Sequence, residues 1–298
     1  MQTPLQAVEY TEVIRNALTI DVEDYFQVAA LSEAVRPEDW PSMEYRVEAN
    51  TDCLLQLLSD KDVKATFFTL GWVAERSPEL VRRIRNAGHE IASHGYSHQL
   101  VYNQTPEVFR EETRKSKGIL EEITGEAITG YRAASYSITA QSRWALDILC
   151  EEGFTWDSSI FPVHHDRYGM PGTPHEPYRL RAPNGGTLIE FPLSTCPIGN
   201  YRLPIAGGGY FRLFPYWLSR WGLGRINRAG QPFIFYLHPW EIDTDQPRLK
   251  VKAFSRFRHY NNLDLCFGRL ENLLCDFRFG TVEEVLAGTG IPAEPVAV

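Results

Sequence analysis

Two histidines four residues apart, His94 and His98, close the stretch Glu90-Ile91-Ala92-Ser93-His94-Gly95-Tyr96-Ser97-His98. From a helical turn, or from a tight loop after a strand, both imidazoles can face one point. A divalent, zinc-like ion held by two imidazoles needs a further ligand, usually a carboxylate, and keeps a position open for water. Carboxylates stand in Asp21-Val22-Glu23-Asp24, directly after the apolar run Ala17-Leu18-Thr19-Ile20. Acids crowded between apolar segments are costly unless a cation or solvent meets them. Asp21 and Glu23 fall on one side of an extended chain. His89-Glu90 ahead of His94 looks like a zinc-protease helix, but His89 and His94 are five apart and share no helix face, which rejects that reading.

Three more reactive residues end apolar runs. Ala127 to Tyr131 delivers Arg132, Phe154-Thr155-Trp156 delivers Asp157, and Phe233 to Leu237 delivers His238 ahead of Pro239. Between them the periodicity predicts helices over 50–59 with Asn50 as cap, from Ser77-Pro78 to Gly88, from Thr105-Pro106 to Gly125, over 139–152, over 211–223, over 263–276, and a last one capped by Thr281. Strands are expected over 17–20, 65–70, 127–131, 154–156, 187–193 and 233–237, with another carrying the histidines. Alternation of strand and helix predicts an α/β fold with a parallel sheet, and apolar runs without alternation suit buried barrel strands. Asp21, His94, Arg132, Asp157 and His238 all lie at or just past C-terminal strand ends. In a β/α barrel those ends meet on one face, where active sites lie.

The chain of 298 residues is 43% hydrophobic, with a formal net charge of −8. That acidity argues against a nucleic-acid partner. The five cysteines, Cys53, Cys150, Cys196, Cys266 and Cys275, form no CxxC and predict free, reduced thiols. The stretch from Met1 to Arg15 is polar without an apolar core, so no signal peptide is read there, and a cytoplasmic location is expected. No apolar run approaches the ~20 residues that cross a bilayer.

Taken together, Thr19-Ile20-Asp21-Val22-Glu23-Asp24, His94-Gly95-Tyr96-Ser97-His98, Arg132-Ala133-Ala134-Ser135-Tyr136, Asp157-Ser158-Ser159 and Leu237-His238-Pro239 resemble the motifs of the polysaccharide deacetylases, the NodB-homology or family 4 carbohydrate esterases. The likeness runs from about Leu18 to Leu286 and is greatest to the subfamily of exopolysaccharide and exosortase loci, which has an extra C-terminal region. It implies a distorted (β/α) barrel of about seven strands in one domain over 1–298, with roughly 250–298 a helical extension packed on it. It also implies hydrolysis of N-acetyl groups from an amino-sugar polysaccharide, in exopolysaccharide biosynthesis. By the resemblance, His94, His98 and either Glu23 or Asp24 hold a divalent metal, zinc first and cobalt or nickel next. Asp21 is then the general base with Arg132 as its charge partner, His238 the general acid, and Asp157 an orienting residue behind it.

The chain departs from the family pattern where Gly95 replaces a Ser or Thr and where, against the usual Arg-x-Pro-Tyr, Ala134-Ser135 intervenes before Tyr136. Tyr136, His165 in the loop His164-His165-Asp166-Arg167-Tyr168, and Tyr210 after Gly207-Gly208-Gly209 are candidates for contact with sugar. The glycines would permit close approach to a sugar, with Tyr210 a stacking platform. Trp217 and Trp221, four apart, read as core. The competing functions are an allantoinase-like amidohydrolase acting on a small cyclic amide and a non-catalytic sugar-binding barrel.

Overall fold

The computed structural model describes residues 14–165 and 168–298, so Asp166 and Arg167 and most of the N-terminal stretch read for a leader lie outside it. Among the described residues the chain runs β1 (Arg15–Val22), α1 (Val47–Asp60), β2 (Thr66–Thr69), α2 (Gly71–Arg76), α3 (Pro78–Asn86), β3 (Glu90–Ser93), α4 (Pro106–Thr124), β4 (Gly130–Tyr131), α5 (Trp144–Glu151) and β5 (Trp156–Asp157). It continues through β6 (Tyr178–Arg181), β7 (Thr187–Glu190), the hairpin β8 (Thr195–Ile198) and β9 (Tyr201–Pro204), α6 (Gly208–Leu213), α7 (Tyr216–Arg228) and β10 (Ile234–Leu237). The last elements are α8 (Ala253–Tyr260), α9 (Leu263–Asp276), β11 (Arg278–Gly280), α10 (Val282–Gly288) and β12 (Val296–Ala297).

The main sheet has the order β10-β1-β2-β3-β4-β5-β7-β6-β12, with β11 also on β1. Every pairing along it is parallel except β6 with β7. This is the expected α/β architecture: a curved parallel sheet with helices outside it. Strands β2 and β10 are buried at every position, and β1 at all but its first, which is why their sequences read as unbroken apolar runs. Register sets the strand ends level. Val22 pairs Thr69, Thr69 pairs Ser93, Ser93 pairs Tyr131, Tyr131 pairs Asp157, and Asp157 pairs Glu190.

The wall between β7 and β10 is completed by irregular chain rather than by a ladder. Ile234 N–H donates to Ser194 Oγ at 2.9 Å, and Tyr236 N–H donates to the Ala206 carbonyl at 3.0 Å. Gly207 bridges Tyr236 with φ 134°, and a Cβ there would sit 2.0 Å from the Tyr236 carbonyl. Gly207 and Gly208 therefore admit the neighbouring Tyr236 strand, while Gly209 lines the cleft beside Tyr210. A glycine tolerates any close backbone approach, and the sequence alone does not say whose.

Other boundaries move for local reasons. Helix α1 starts three residues before Asn50, because the Asp24 carboxylate caps it by accepting from Arg46 N–H and Val47 N–H at 2.6 and 2.9 Å. The segment expected as one helix over 211–223 is two, with Pro215 between them. Trp217 and Trp221 are 66% and 39% exposed and are not core. The C-terminal region is not wholly a helical layer, since β11 enters the main sheet beside β1.

Candidate active site

The site begins where β1 ends. Asp21 is buried, and its Oδ1 accepts from Arg132 Nη1 at 2.6 Å. Two residues on, Glu23 points to the same side, as period-two geometry requires. Its Oε1 accepts from Trp240 Nε1 at 3.4 Å, and its Oε2 lies 2.6 Å from His98 Nε2 without the alignment of a hydrogen bond. Asp24 turns away. Its Oδ1 accepts from Tyr25 N–H at 2.8 Å, and its Oδ2 is the cap of α1. Those bonds take up the Asp24 carboxylate, so of the two acids left open by the sequence only Glu23 joins the histidines.

His94 follows β3 directly. Its Nδ1 lies 2.8 Å from the Arg132 carbonyl, which can only accept, so Nδ1 carries the proton and Nε2 is left as a lone-pair donor. Between the histidines the chain needs a left-handed residue: Gly95 has φ 73°, a conformation a Ser or Thr adopts only with strain. The carbonyls of Gly95 and Tyr96 accept from the first amides of α2, Gly71 and Trp72, at 2.8 and 3.1 Å. The loop is thus fixed to a helix N-terminus, and His98, itself at φ 53°, returns toward His94. One donor atom from each of Glu23, His94 and His98 lies within 4.8 Å of the others. Burial pushes the His94 imidazole down to about 4. Burial pushes the Glu23 carboxyl up, but the charges of His98, His238 and His94 outweigh it and hold the group down at about 2. A neutral imidazole and an ionised carboxylate are the ligating forms.

Arg132 is fully buried and cross-links the strand ends. Its guanidinium donates to Thr19 Oγ1 at 2.8 Å and to Asp21, and on the other side to the Ser158 carbonyl at 3.2 Å and Ser158 Oγ at 3.0 Å. It lies 3.9 Å from the Phe68 ring centroid. The motif after it bends through two consecutive left-handed residues, Ser135 at φ 51° and Tyr136 at φ 56°, each costing on the order of 1 kcal/mol. The bend sets the Tyr136 ring edge-on to Tyr236 at 5.2 Å, on the wall of the cleft.

Asp157 does not stand behind His238. Its Oδ1 accepts from Ser159 Oγ at 2.5 Å, and it is the register partner of Glu190 on β7. Burial pushes Asp157 up to about 6 and Glu190 well above the usual carboxylate range, with the facing Asp157 charge adding to the Glu190 shift. The pair shapes the 158–160 turn, because Glu190 Oε1 accepts from Ile160 N–H at 2.9 Å.

The place expected for Asp157 belongs to Glu241, which the sequence reading missed. Glu241 Oε1 accepts from His238 Nδ1 at 2.7 Å and from His238 N–H at 3.1 Å. Its Oε2 accepts from Arg212 Nε at 2.6 Å. Arg212, also buried, donates its other N–H groups to the carbonyls of His259, Asn261 and Arg258 at 2.8–3.0 Å, around the C-terminus of α8. A local signal for Glu241 exists: His238-Pro239-Trp240-Glu241 places a Pro at the first helical position and a Glu two later, as a capping box does. The His238 ring stacks on Trp240 at 5.3 Å, with its Nε2 3.5 Å from Glu23 Oε1 and 3.8 Å from Asp21 Oδ2. Burial pulls the imidazole down, but Glu241, Glu23 and Asp21 outweigh it and raise His238 to about 9.

These groups open into a cleft of about 630 Å³. Tyr136, His165 and Tyr210, the residues expected near a sugar, all line it, together with Tyr102, Tyr168 and Phe254. His165 stacks flat on Tyr168 at 3.7 Å.

The fold is a parallel α/β barrel type, and Glu23, His94 and His98 form a group that could hold a metal ion. The polysaccharide deacetylase family matches residues 38–149, and a domain of unknown function, DUF3473, matches residues 158–287. The chain is 29% identical over 157 residues to the peptidoglycan deacetylase of Helicobacter pylori, covering 53% of this chain and 49% of that one. It is 35% identical over 111 residues to the peptidoglycan-N-acetylglucosamine deacetylase of Bacillus cereus, covering 37% and 38%. The chain thus spans half or less of these relatives' length. In fold it is similar to a crystal structure from Mycobacterium smegmatis described as a candidate polysaccharide deacetylase, with TM-score 0.62, 21% identity and 99% of each chain covered. A Pseudomonas aeruginosa structure described in similar terms has TM-score 0.60 at 18% identity, covering 92% of this chain and 90% of that one. Residues 38–149 are thus similar to the polysaccharide deacetylase family, and the likeness to the two solved structures is one of fold.

Proposed function

We propose that this chain removes N-acetyl groups from an amino-sugar polymer with the help of a divalent metal, and that it does so in exopolysaccharide biosynthesis. The observation that carries the reading is the convergence of Glu23, His94 and His98 within 4.8 Å, in a cleft that His238 also lines. The donors suit such an ion on their own chemistry: imidazole nitrogens, and a buried carboxylate oxygen with no aligned hydrogen bond. Zinc fits an N,N,O set, with cobalt or nickel next. Bound there, the ion supplies Lewis-acid polarisation of the acetyl carbonyl and acidifies a water.

The chain's own residues do the rest. Asp21 accepts the attacking water's proton at Oδ2, while Arg132 holds Oδ1 and balances the charge. His238 gives a proton from Nε2 to the amine nitrogen as the carbon–nitrogen bond breaks. Glu241 fixes the ring through Nδ1, so that Nε2 is the nitrogen aimed at the substrate. Trp240 stacks on the ring and leaves it little freedom to turn. Tyr102, Tyr136, Tyr168, Tyr210 and Phe254 give the cleft several flat faces of the kind that pack on sugar rings, which favours an oligomer over a small cyclic amide.

The test is acetate release from N-acetylglucosamine oligomers by metal-loaded protein. Release that requires metal and vanishes in Asp21→Asn supports the reading. Turnover of a small cyclic amide with none of the oligomers refutes it, as does oligomer binding without any release.

A further inference from the structure

Beside the cleft lies a second cavity, of about 860 Å³, that the proposed chemistry does not use. The two cavities share Ala30, Glu33 and Ser255 in their walls, so they adjoin across α8. Their linings differ in kind. The cleft takes Phe254 and Phe257 from α8, exposed by 71% and 52%. The second cavity takes Arg248, Lys250, Lys252 and Arg256 from α8 and the chain leading into it, against one carboxylate, Glu33.

The charge of this segment is opposite to that of the whole protein. Residues 246–263 contain Arg248, Lys250, Lys252, Arg256 and Arg258 and no Asp or Glu, in a chain of net charge −8. A solvated surface of this protein would be expected to carry acids among its bases. Among the described residues, of these five only Lys252 pairs with an acid, Glu33, at 2.8 Å. Arg248 lies over the Tyr260 ring at 4.4 Å, and Arg258 beside Phe254 at 5.7 Å. Lys250 and Arg256 are exposed, and neither has a carboxylate within ion-pair distance among the described residues. Like charges gathered in a concave site raise the local concentration of an oppositely charged ligand.

We propose that this basic cavity is a subsite for negatively charged groups on the same glycan whose N-acetyl groups enter the cleft. On the proposed deacetylase reading, on which this rests, a polymer leaving the cleft crosses the aromatic side of α8 and then meets its basic side. The substrate is then an acidic polysaccharide, carrying carboxylates or phosphates beyond the sugar being deacetylated. Continuity with the cleft favours a glycan over a membrane surface as the occupant.

The test measures binding to full-length, metal-loaded protein by calorimetry at 50 and 300 mM salt. The probes are a hyaluronan octasaccharide, a polygalacturonate octasaccharide and neutral chitohexaose. The paired variant Lys250→Glu/Arg256→Glu, at exposed positions outside the catalytic groups, is the control. An acidic glycan should bind the natural protein about tenfold or more tightly than the paired variant, and high salt should remove most of that difference. Chitohexaose affinity should be equal in both. Inorganic pyrophosphate, added as a competitor, separates the sources: displacement of bound glycan at millimolar concentration assigns phosphate, and weak displacement assigns carboxylate. Equal binding of the acidic glycans by both proteins overturns the proposal. So does binding only to anionic phospholipid vesicles that the variant loses. Acetate release from chitohexaose is read in parallel, and its absence would sink the deacetylase reading while leaving the anion site to be judged by binding.

Discussion

Replacing Glu241 by Gln changes one oxygen to an NH₂ group in a place where every neighbour is a donor. Glu241 accepts from His238 Nδ1 and His238 N–H on one side and from Arg212 Nε on the other. Gln can satisfy only one side with its oxygen. The bond to the imidazole falls from charge-assisted to neutral, or is lost if the amide flips. A charge-assisted bond contributes about 1.5–3 kcal/mol. If that stabilisation is spent on holding the general acid in the transition state, kcat should fall about 10- to 100-fold with KM within about threefold. Stability should fall too, because a buried guanidinium loses its counter-charge. Removing one partner of such a pair costs up to ~3–5 kcal/mol, less here because Arg212 keeps three carbonyl acceptors. Arg212→Met separates the two effects: it removes a comparable amount of stability but leaves the Glu241–His238 bond, so its kcat should lie above that of Glu241→Gln. The assay is acetate release from an N-acetylglucosamine oligomer, with metal content and Tm measured on each sample. A Glu241→Gln protein that retains metal and turns over within threefold of the natural chain would show that Glu241 only holds the fold.

Glu23→Gln should lose most bound divalent ion by elemental analysis while Asp24→Asn retains it and is less stable; the reverse pattern would return Asp24 to the ligand set. His238→Ala should keep its metal and lose about two to four orders of magnitude in kcat, the usual worth of a general acid, and loss of metal instead would make His238 a ligand. At the far end of β3, the half-buried Glu90 is raised by burial from 4.5 to about 7, with the nearby Glu283 charge adding to the shift. The folded protein therefore holds a proton there that the unfolded chain has lost, so wild-type stability falls between about pH 4.5 and 7 and is level above. Glu90→Gln should then be more stable than the natural chain by about 1–2 kcal/mol at pH 8 and no different near pH 4.5, allowing for partial exposure; an equal Tm difference at both pH values would refute this.

Strands β1 and β10 were legible because burial on both faces leaves unbroken apolar runs, whose ends deliver Asp21 and His238. What was not legible depends on contacts between distant segments. Asp24 and Glu23 differ in role because α1 happens to start beside Asp24, 22 residues away in sequence at Arg46. Asp157 sits opposite Glu190 through sheet register, and the β7 strand was read without its neighbours. Arg212 lies in a segment whose pattern signalled only an apolar helix, and its partners come from 29 to 49 residues further on. The glycines at 207 and 208 were legible as a close approach, but the approaching group is the Tyr236 strand.

Arg212 binds at once to the residue behind the proposed acid and to the carbonyls that end α8. Those carbonyls belong to the segment that also supplies Phe254, Phe257 and the basic cavity. The support of the proposed acid and the α8 segment are thereby tied together in the second half of the chain, whereas Asp21, Arg132 and the candidate metal-site residues belong to the first. A chimaera between two relatives with a junction after Arg132 and before Phe211 keeps Arg212, Glu241 and the end of α8 from one parent. Position 212 should accordingly change in step with 241 across relatives, and α8 should be free to diversify in its outward side chains as long as its last turn keeps three carbonyls in place.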